Sequence, residues 1–226
     1  MYFIGMNLIC HIILLLMINL SFAVINTKAG AFTITRLQYS GGGDWYADPS
    51  SIPNLLDFIH KNTNIDVNRN ENRAKIGGNQ FYDSYYLYLT GHGNINFSDK
   101  EAQELRMFLL RGGFMHADDN YGMDISFRRE MKKVFPDKEW VELPKTHSIF
   151  NIHYKFDNGL PKIHEHDNKR PQALALFDDK RIIAIYTYES DLGDVWEDKN
   201  VHGNTENSRE QALKMGTNIV IYSLKE

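Results

Sequence analysis

Cysteine is almost absent from this chain, which has a single one, Cys10, among 226 residues. One cysteine cannot build an intramolecular disulfide framework. Basic residues are not in excess either: 25 Lys and Arg stand against 29 Asp and Glu, which gives a formal net charge of −4. Binding to nucleic-acid phosphates needs a surplus of Lys and Arg, so we expect no nucleic-acid partner. The chain also has no internal repeat, low-complexity run or Pro/Ser-rich linker.

Charged side chains are missing from residues 1–23, where the segment from Leu8 to Leu20 is mostly apolar. Ser21 and Ala23 put small residues at the two positions that signal peptidase reads, so we predict a secretory signal peptide over residues 1–23. The alternative is an uncleaved anchor, although the apolar run is shorter than the roughly 20 residues that cross a bilayer comfortably. The predicted location is therefore periplasmic or secreted, and the membrane would be contacted only through an uncleaved signal segment.

Cleavage after about Ala23 would remove Cys10 and leave residues 24–226 as one predicted α/β domain with no cysteine. A thiol nucleophile, a Cys-ligated zinc ion and an iron–sulfur cluster are then excluded for the mature protein. Its formal charge stays at −4, because the removed segment carries no charged side chain.

Strand and helix patterns alternate along residues 24–226. Strands are predicted at 31–39, 65–67, 85–90, 114–117, 140–143, 173–177 and 182–188. Helices are predicted at 50–62, after a capping box of Ser98 and Glu101, at 124–135, and after a cap formed by Ser208 and Gln211. The polar segment 68–79 is predicted to be a loop. This alternation implies parallel β-α-β units and a three-layer α/β/α sandwich with a mainly parallel sheet.

Ligands of such folds gather beyond the carboxyl ends of the strands, and polar clusters fall at those ends here. Two of them are glycine-rich turns, Gly41-Gly42-Gly43-Asp44-Trp45-Tyr46 and Thr90-Gly91-His92-Gly93. The first matches neither the dinucleotide fingerprint nor the P-loop, so we interpret it as a tight turn whose last three side chains can line a pocket. In the second, the glycines leave room for a ligand beside the imidazole; the alternative is a turn histidine bonded to a carbonyl.

The turn His116-Ala117-Asp118-Asp119-Asn120-Tyr121 follows the fourth predicted strand, where related hydrolytic folds place a nucleophile elbow. It contains no Ser or Cys, which argues against a Ser-His-Asp hydrolase. Asp118 and Asp119 remain candidates for a carboxylate nucleophile, a general base or a metal ligand.

Two further clusters contain His and acidic residues. His164 and His166 point the same way in an extended backbone and can chelate one divalent ion; a solvated loop is the alternative. Glu189 and Asp191 follow the last predicted strand, near Trp196. Paired carboxylates suit acid/base work on glycosides, aromatics beside acids suit sugar binding, and a helix-capping or calcium-binding acidic loop is the third interpretation.

The blocks GGGDWY (41–46), TGHG (90–93), HADDNYG (116–122), GLPKIHEHD (159–167) and YESDLGD (188–194) resemble a bacterial family known as domain of unknown function 4159. The resemblance extends from about Phe32 to the C terminus. It implies a flavodoxin-like sandwich similar to class I glutamine amidotransferase-like domains. Glutamine amidotransfer is not implied, because Asp118-Asp119 occupy the elbow where the amidotransferases have a cysteine.

Two functions stay open from the sequence. The first is a metal-assisted or carboxylate-based hydrolase of an envelope or glycan substrate. The second is a non-catalytic module that binds a sugar or a protein. The candidate residues are Asp118, Asp119, His116, Glu189 and Asp191 for catalysis; Asp44, Trp45, Tyr46, Gly91, His92, Tyr121 and Trp196 for ligand binding; and His92, His164 and His166 for a divalent metal, the only cofactor considered.

Overall fold

The structure is a computed structural model that describes residues 30–163 and 168–225. The predicted signal segment 1–23 and the motif His164 to Asp167 lie outside these residues. The strands described are β1 (Ile34–Gln38), β2 (Asn72–Lys75), β3 (Tyr86–Leu89), β4 (Phe114–Asp118), β5 (Val141–Glu142), β6 (Gln172–Asp178) and β7 (Arg181–Tyr188). They form one sheet in the order β2-β1-β3-β4-β7-β6-β5. β2, β1, β3, β4 and β7 pair in parallel, whereas β6 is antiparallel to β7 and β5. A mainly parallel sheet was predicted and is confirmed.

Helices cover both faces of this sheet. Those described are α1 (Ser51–Asn62), α2 (Asn79–Tyr82), α3 (Asp99–Leu110), α4 (Asp124–Val134), α5 (Leu192–Trp196) and α6 (Glu206–Ser223), with a 3-10 turn at Ser148–Phe150. The apolar residues of α1, α5 and α6 belong to the core on one face, and those of α2, α3 and α4 belong to the core on the other. The result is a three-layer α/β sandwich, compatible with the predicted flavodoxin-like fold.

The continuous apolar run of β3 follows from this layering. Successive side chains of a strand point to opposite faces of the sheet. Tyr86 and Tyr88 accordingly enter one core and Leu87 and Leu89 the other, and all four are buried. A central strand covered on both faces needs an uninterrupted apolar sequence rather than an alternating one.

One predicted loop is wrong. Segment 68–79 contains β2, which pairs in parallel with β1 from Asn72 to Lys75, and the first residue of α2. Its sequence gives no strand signal because β2 is an edge strand with one buried side chain, Ala74. The predicted strand at 65–67 is reduced to a single bridge between Val67 and Phe32.

Side chains at the helix N-termini decide where α3 and α6 begin. Ser98 Oγ accepts a hydrogen bond from the Glu101 amide, and the Glu101 carboxylate accepts one from the Ser98 amide, which confirms the predicted capping box. At α6 the predicted cap is wrong. The helix begins three residues earlier, because Thr205 Oγ1 accepts from the amide of Ser208.

The residues from Ala31 onward form one compact unit. Nothing in this unit tests a boundary at residue 24, which stays a prediction. Across 30–163 and 168–225, no helix is both long enough and apolar enough to cross a membrane.

The cap of α6 gives a first test. Thr205→Ala removes the side chain that satisfies a free amide of the first turn, so it should lower the free energy of unfolding by about 1 kcal/mol. Ser208→Ala, inside the helix, should change it by less than about half of that. Urea denaturation of the two variants measures the difference. A larger loss of unfolding free energy in Ser208→Ala than in Thr205→Ala would indicate that Ser208, and not Thr205, caps the helix.

Candidate functional site

Two crevices open at the carboxyl end of the sheet, where neighbouring parallel strands send their helices to opposite faces. One lies between β1 and β3, because α1 and α3 cover different faces. The other lies between β4 and β7, because α4 packs on one face and α5 and α6 on the other. Such switch points are the usual ligand sites of open α/β sheets.

The second crevice encloses Asp118, the last residue of β4, which is wholly buried. Its Oδ2 accepts hydrogen bonds from the Gly193 amide at 2.6 Å and from Tyr88 Oη at 3.3 Å. Its Oδ1 accepts one from the hydroxyl of Thr187 on β7. A Cβ added to Gly193 would lie 2.5 Å from Tyr88 Oη, so only glycine lets this amide reach the carboxylate. These three donors are neutral, and so is the backbone of Leu192, which also hydrogen-bonds this carboxylate.

Asp48, Asp194 and His202 form a second group beside Asp118. They come from the segment after β1, from α5 and from the segment before α6, and one potential ligand atom of each lies within 4.8 Å of the others. His202 Nε2 is 4.0 Å from Asp48 Oδ1, and its Nδ1 is 3.8 Å from Asp194 Oδ2. The Asn120 amide nitrogen lies 3.5 Å from an oxygen of each aspartate. His202 opens the group to solvent, with a third of its side chain exposed.

Burial and like charge act together on these carboxyl groups. Burial, together with the nearby carboxylates of Asp194, Asp191 and Glu197, raises the pKa of Asp48 to about 8. Burial, with a contribution from Asp191, also raises the pKa of Asp118 to about 8, against the hydrogen bonds from Thr187 and Gly193. Among the described residues, no Lys or Arg nitrogen lies within 4 Å of either carboxylate.

Backbone strain concentrates at the same place. Five described residues other than glycine have positive φ, and three of them are Asp48, Glu189 and Asp191, all buried here. A left-handed conformation at a non-glycine residue costs on the order of 1 kcal/mol and persists where its surroundings fix it. The fold therefore holds these acids in place at an energetic cost.

Residues 33–224 match the model of the family described as domain of unknown function DUF4159. The chain belongs to this family. Comparison with curated proteins gave no match.

In this DUF4159 chain the fourth strand ends in the predicted elbow, and its residues have distinct surroundings. His116 is wholly buried, and its Nε2 lies 3.0 Å from Thr187 Oγ1, which in turn donates to Asp118. Burial lowers the pKa of His116 to about 3, so the ring is neutral near pH 7. Asp119 accepts from Tyr186 Oη at 2.7 Å and from the Glu189 amide at 2.8 Å.

Glu189 and Asp191, the predicted second acids, are also wholly buried. Glu189 pairs with Lys162 Nζ at 2.7 Å. Asp191 precedes α5 and contributes the negative charge that raises the pKa of both Asp48 and Asp118. Asp118 and Asp119 thus lie at the end of β4, and Glu189 and Asp191 lie just after β7, the strand that pairs with it.

The glycine-rich turns meet at the other crevice. His92 Nδ1 lies 3.1 Å from Asp44 Oδ2, and the His92 amide also bonds this carboxylate. Gly43 donates to the Asn94 carbonyl at 2.9 Å, and a Cβ on Gly43 would lie 2.7 Å from the His92 carbonyl. The close contact between the two loops is therefore one reason for glycine. His164 and His166, predicted to bind metal with His92, fall outside the described part of the chain.

The aromatic residues that were predicted to bind a ligand differ in their exposure to solvent. Tyr46 and Tyr121 are 60% and 63% exposed, and Trp45 packs edge-on against Tyr46. Trp196 is wholly buried between Tyr88 and His116, and its indole nitrogen donates to the Ala212 carbonyl. Its ring therefore has no open face for a ligand in this structure. Gly91 lies against Tyr39 and Asp44.

Sequence reasoning missed Asp48 and His202 as site residues and left Asp194 without a role. Asp48 stands alone before Pro49, and His202 lies in a polar stretch with no motif around it. Asp194 could have been found from the sequence, because it is the last residue of the acidic block YESDLGD that follows the last predicted strand. Only the chain topology shows that these three positions meet.

The buried carboxyl of Asp118 predicts a pH effect on stability. Its folded pKa of about 8 lies above its ordinary value of 3.8, so this group's stabilising contribution is present below pH 3.8 and is lost as the pH rises through 8. In Asp118→Asn, with EDTA present, the free energy of unfolding should fall less steeply from pH 4 to pH 8, by up to about 1.4 kcal/mol per pH unit.

Urea denaturation across this pH range measures the slope. Leu105→Ala changes a wholly buried residue of α3 and no titratable group. It should lower the free energy of unfolding at every pH without altering how steeply that free energy falls with pH. An Asp118→Asn curve parallel to that of the unmodified protein would contradict a raised pKa.

Proposed function

We propose that this protein is a divalent-cation-dependent hydrolase whose cation is held by Asp48, Asp194 and His202. The observation that carries the proposal is the convergence of these three side chains, from three separate segments, with ligand atoms within 4.8 Å of one another. The proposal replaces His92 with this group as the ligand set and leaves His164 and His166 as a separate prediction.

The ligand types and spacing support a cation. Imidazole and carboxylate suit zinc, manganese or iron. Ligand atoms around one such ion lie roughly 3–3.5 Å apart, since the metal–ligand bonds are about 2.0–2.2 Å. The separations of 4.0 Å to Asp48 and 3.8 Å to Asp194 start from different ring nitrogens of His202, of which only one can bind a given ion. The group, whose ligand atoms lie within 4.8 Å of one another, would therefore have to contract around the ion to reach that range. A cation would also offset the repulsion among the buried carboxylates.

Asp118 supports hydrolysis rather than simple cation storage. An added Cβ at Gly193 would lie 3.2 Å from Asp118 Oδ2 and 3.4 Å from Asp48 Oδ2, so the two carboxyl groups approach the same side of one residue. A cation at Asp48 would lower the pKa of a bound water, and a carboxyl group close by can exchange a proton with it. In this proposal Asp118 is the proton-transferring group, and Asp119 and His116 support it through β7.

The substrate class and location belong to the same proposal. The uncharged N-terminal segment supports export to the periplasm or the medium, and an envelope glycan is the substrate class that suits that location. A cavity of about 310 Å³ lies between residues 119–122, Ile125 and Lys169. Its volume is at the lower end of the size range of small-ligand pockets. No nucleic-acid partner is proposed.

Cation binding is tested directly. Asp48→Asn, Asp194→Asn and His202→Gln should each weaken Mn²⁺ or Zn²⁺ binding on the order of 100-fold, because each removes one ligand. Asparagine tolerates the left-handed backbone of Asp48. Isothermal titration calorimetry after EDTA treatment measures the dissociation constants.

Asp57→Asn and His153→Gln remove the same ligand types outside the group and should bind the cation as the unmodified protein does. The unmodified protein should gain about 2.7 kcal/mol of stability at a cation concentration of 100 times the dissociation constant, and the three ligand variants should gain little. Equal binding by Asp48→Asn and Asp57→Asn would contradict the proposed site.

A non-catalytic sugar-binding module is the second candidate, favoured by the exposure of Tyr46 and Tyr121 near the carboxyl ends of the strands. Aromatic faces of this kind stack on sugar rings. If they do so here, Tyr121→Ala and Tyr46→Ala should weaken binding of β-1,4-linked oligosaccharides about five- to tenfold.

Tyr82→Ala is the matched control, since Tyr82 is 55% exposed and precedes the amino end of β3. Glycan arrays followed by calorimetry measure the binding. Oligosaccharide binding without turnover by a cation-loaded protein would favour the module over the hydrolase.

A further inference from the structure

Arg36 is the only wholly buried arginine among the described residues, and it lies directly beneath the Asp48 segment. It sits on β1 with its guanidinium 5.7 Å from the centre of the Tyr88 ring. Burying such a charge is expensive unless every donor is satisfied. The hydrogen-bond partners of the Arg36 guanidinium therefore indicate its structural role.

The guanidinium holds two successive carbonyl groups. Nη1 donates to the Ala47 carbonyl at 2.7 Å, and Nη2 donates to the Asp48 carbonyl at 3.0 Å. Nη2 also lies 3.2 Å from Ser51 Oγ, which itself donates to the Asp48 carbonyl at 2.7 Å. The two peptide groups that flank Asp48 are thus both held by Arg36.

Glu71 sets the orientation of the guanidinium. Its Oε2 accepts from Arg36 Nε at 2.9 Å, and its side chain is almost fully buried. Arg73 Nε donates to the other oxygen at 2.6 Å. The ion pair leaves the two terminal nitrogens of Arg36 pointing at the Asp48 segment, since the guanidinium is planar and its donors have fixed directions.

The same segment is tied to α5, which carries Asp194. The Ser50 amide donates to Glu197 Oε1 at 2.7 Å, and the Asp198 amide donates to Ser50 Oγ at 3.0 Å. Asp48 itself has a positive φ of 54°, a left-handed conformation that costs a non-glycine residue on the order of 1 kcal/mol. Arg36 supports the backbone at the residue whose carboxylate faces Asp194 and His202.

We propose that Arg36, oriented by Glu71, is a positioning residue that holds the Asp48 carboxylate ready for the cation. This inference rests on the proposed cation site. Arg36 does not touch the cation, and its effect passes through the carbonyl groups of Ala47 and Asp48. A lysine cannot replace it, because one ammonium cannot keep the planar geometry that bonds Glu71 and both carbonyls.

The test compares cation affinity with stability. Arg36→Met should weaken Mn²⁺ binding at least about tenfold, and Arg36→Lys should fail to restore it. Ser51→Ala, a milder change that removes the two hydrogen bonds of Ser51 Oγ and keeps the guanidinium, should weaken binding roughly threefold. Titrations are run at a temperature where each variant is folded by circular dichroism.

Leu105→Ala is the control for a purely structural role, since it destabilises the core on the opposite face of the sheet and leaves the Asp48 segment untouched. It should change the affinity less than twofold. If Arg36→Met and Ser51→Ala lower the melting temperature and keep the affinity of the unmodified protein, Arg36 is structural only and the proposal is overturned.

A second readout separates this inference from the cation site itself. Hydrogen exchange should be faster at the Ser51 amide in Arg36→Met and in Ser51→Ala, and unchanged there in Leu105→Ala, because Ser51 donates to the Asp48 carbonyl. If the unmodified protein binds no divalent cation, the proposed function fails, and exchange at this amide alone decides whether Arg36 fixes the segment. Unchanged exchange in both variants overturns the inference.

Discussion

The enclosure of several carboxyl groups in the crevice between β4 and β7 is the constraint on which the rest of this site depends. Carboxylates held close together and away from water repel one another, and each loses hydration that neutral hydrogen bonds replace only in part. Asp118 is compensated by neutral donors that include Thr187, Gly193 and Tyr88, whereas Asp48 has the amide of Asn120 at 3.5 Å and the imidazole of His202 only at 4.0 Å. This accounts for the raised pKa of both groups.

Arg36, the buried charged residue of β1, acts on this group of carboxylates indirectly, through the backbone near Asp48. Arg36 donates hydrogen bonds to Glu71 and to the carbonyl groups of Ala47 and Asp48. A guanidinium placed against the Asp48 carboxylate itself would neutralise it and leave no place for another cation. The observed arrangement fixes the backbone and leaves the Asp48 carboxylate facing Asp194 and His202.

Much of the fold could be predicted because its signals are local. The apolar run of β3, the capping box at Ser98 and the amphipathic helices each depend on a few neighbouring residues. β2 could not be predicted, since an edge strand with one buried side chain is held by backbone pairing to β1. The candidate site was predicted in part for a related reason. Asp118, Glu189 and Asp191 follow recognisable strands, whereas Asp48 and His202 belong to irregular segments that only the three-dimensional topology brings together.

The predicted elbow after β4 is enclosed by the neighbouring elements of the fold. A nucleophile at that turn must be reachable by substrate, yet Asp118 is wholly buried and accepts hydrogen bonds from β3, β7 and α5. His116 is equally enclosed and neutral, so it cannot serve as an exposed base. The solvent-accessible part of the group is His202, beyond the elbow. A molecule that approaches the Asp48 group from solvent would therefore meet His202 first, while Asp118 stays enclosed by the three elements that bond it.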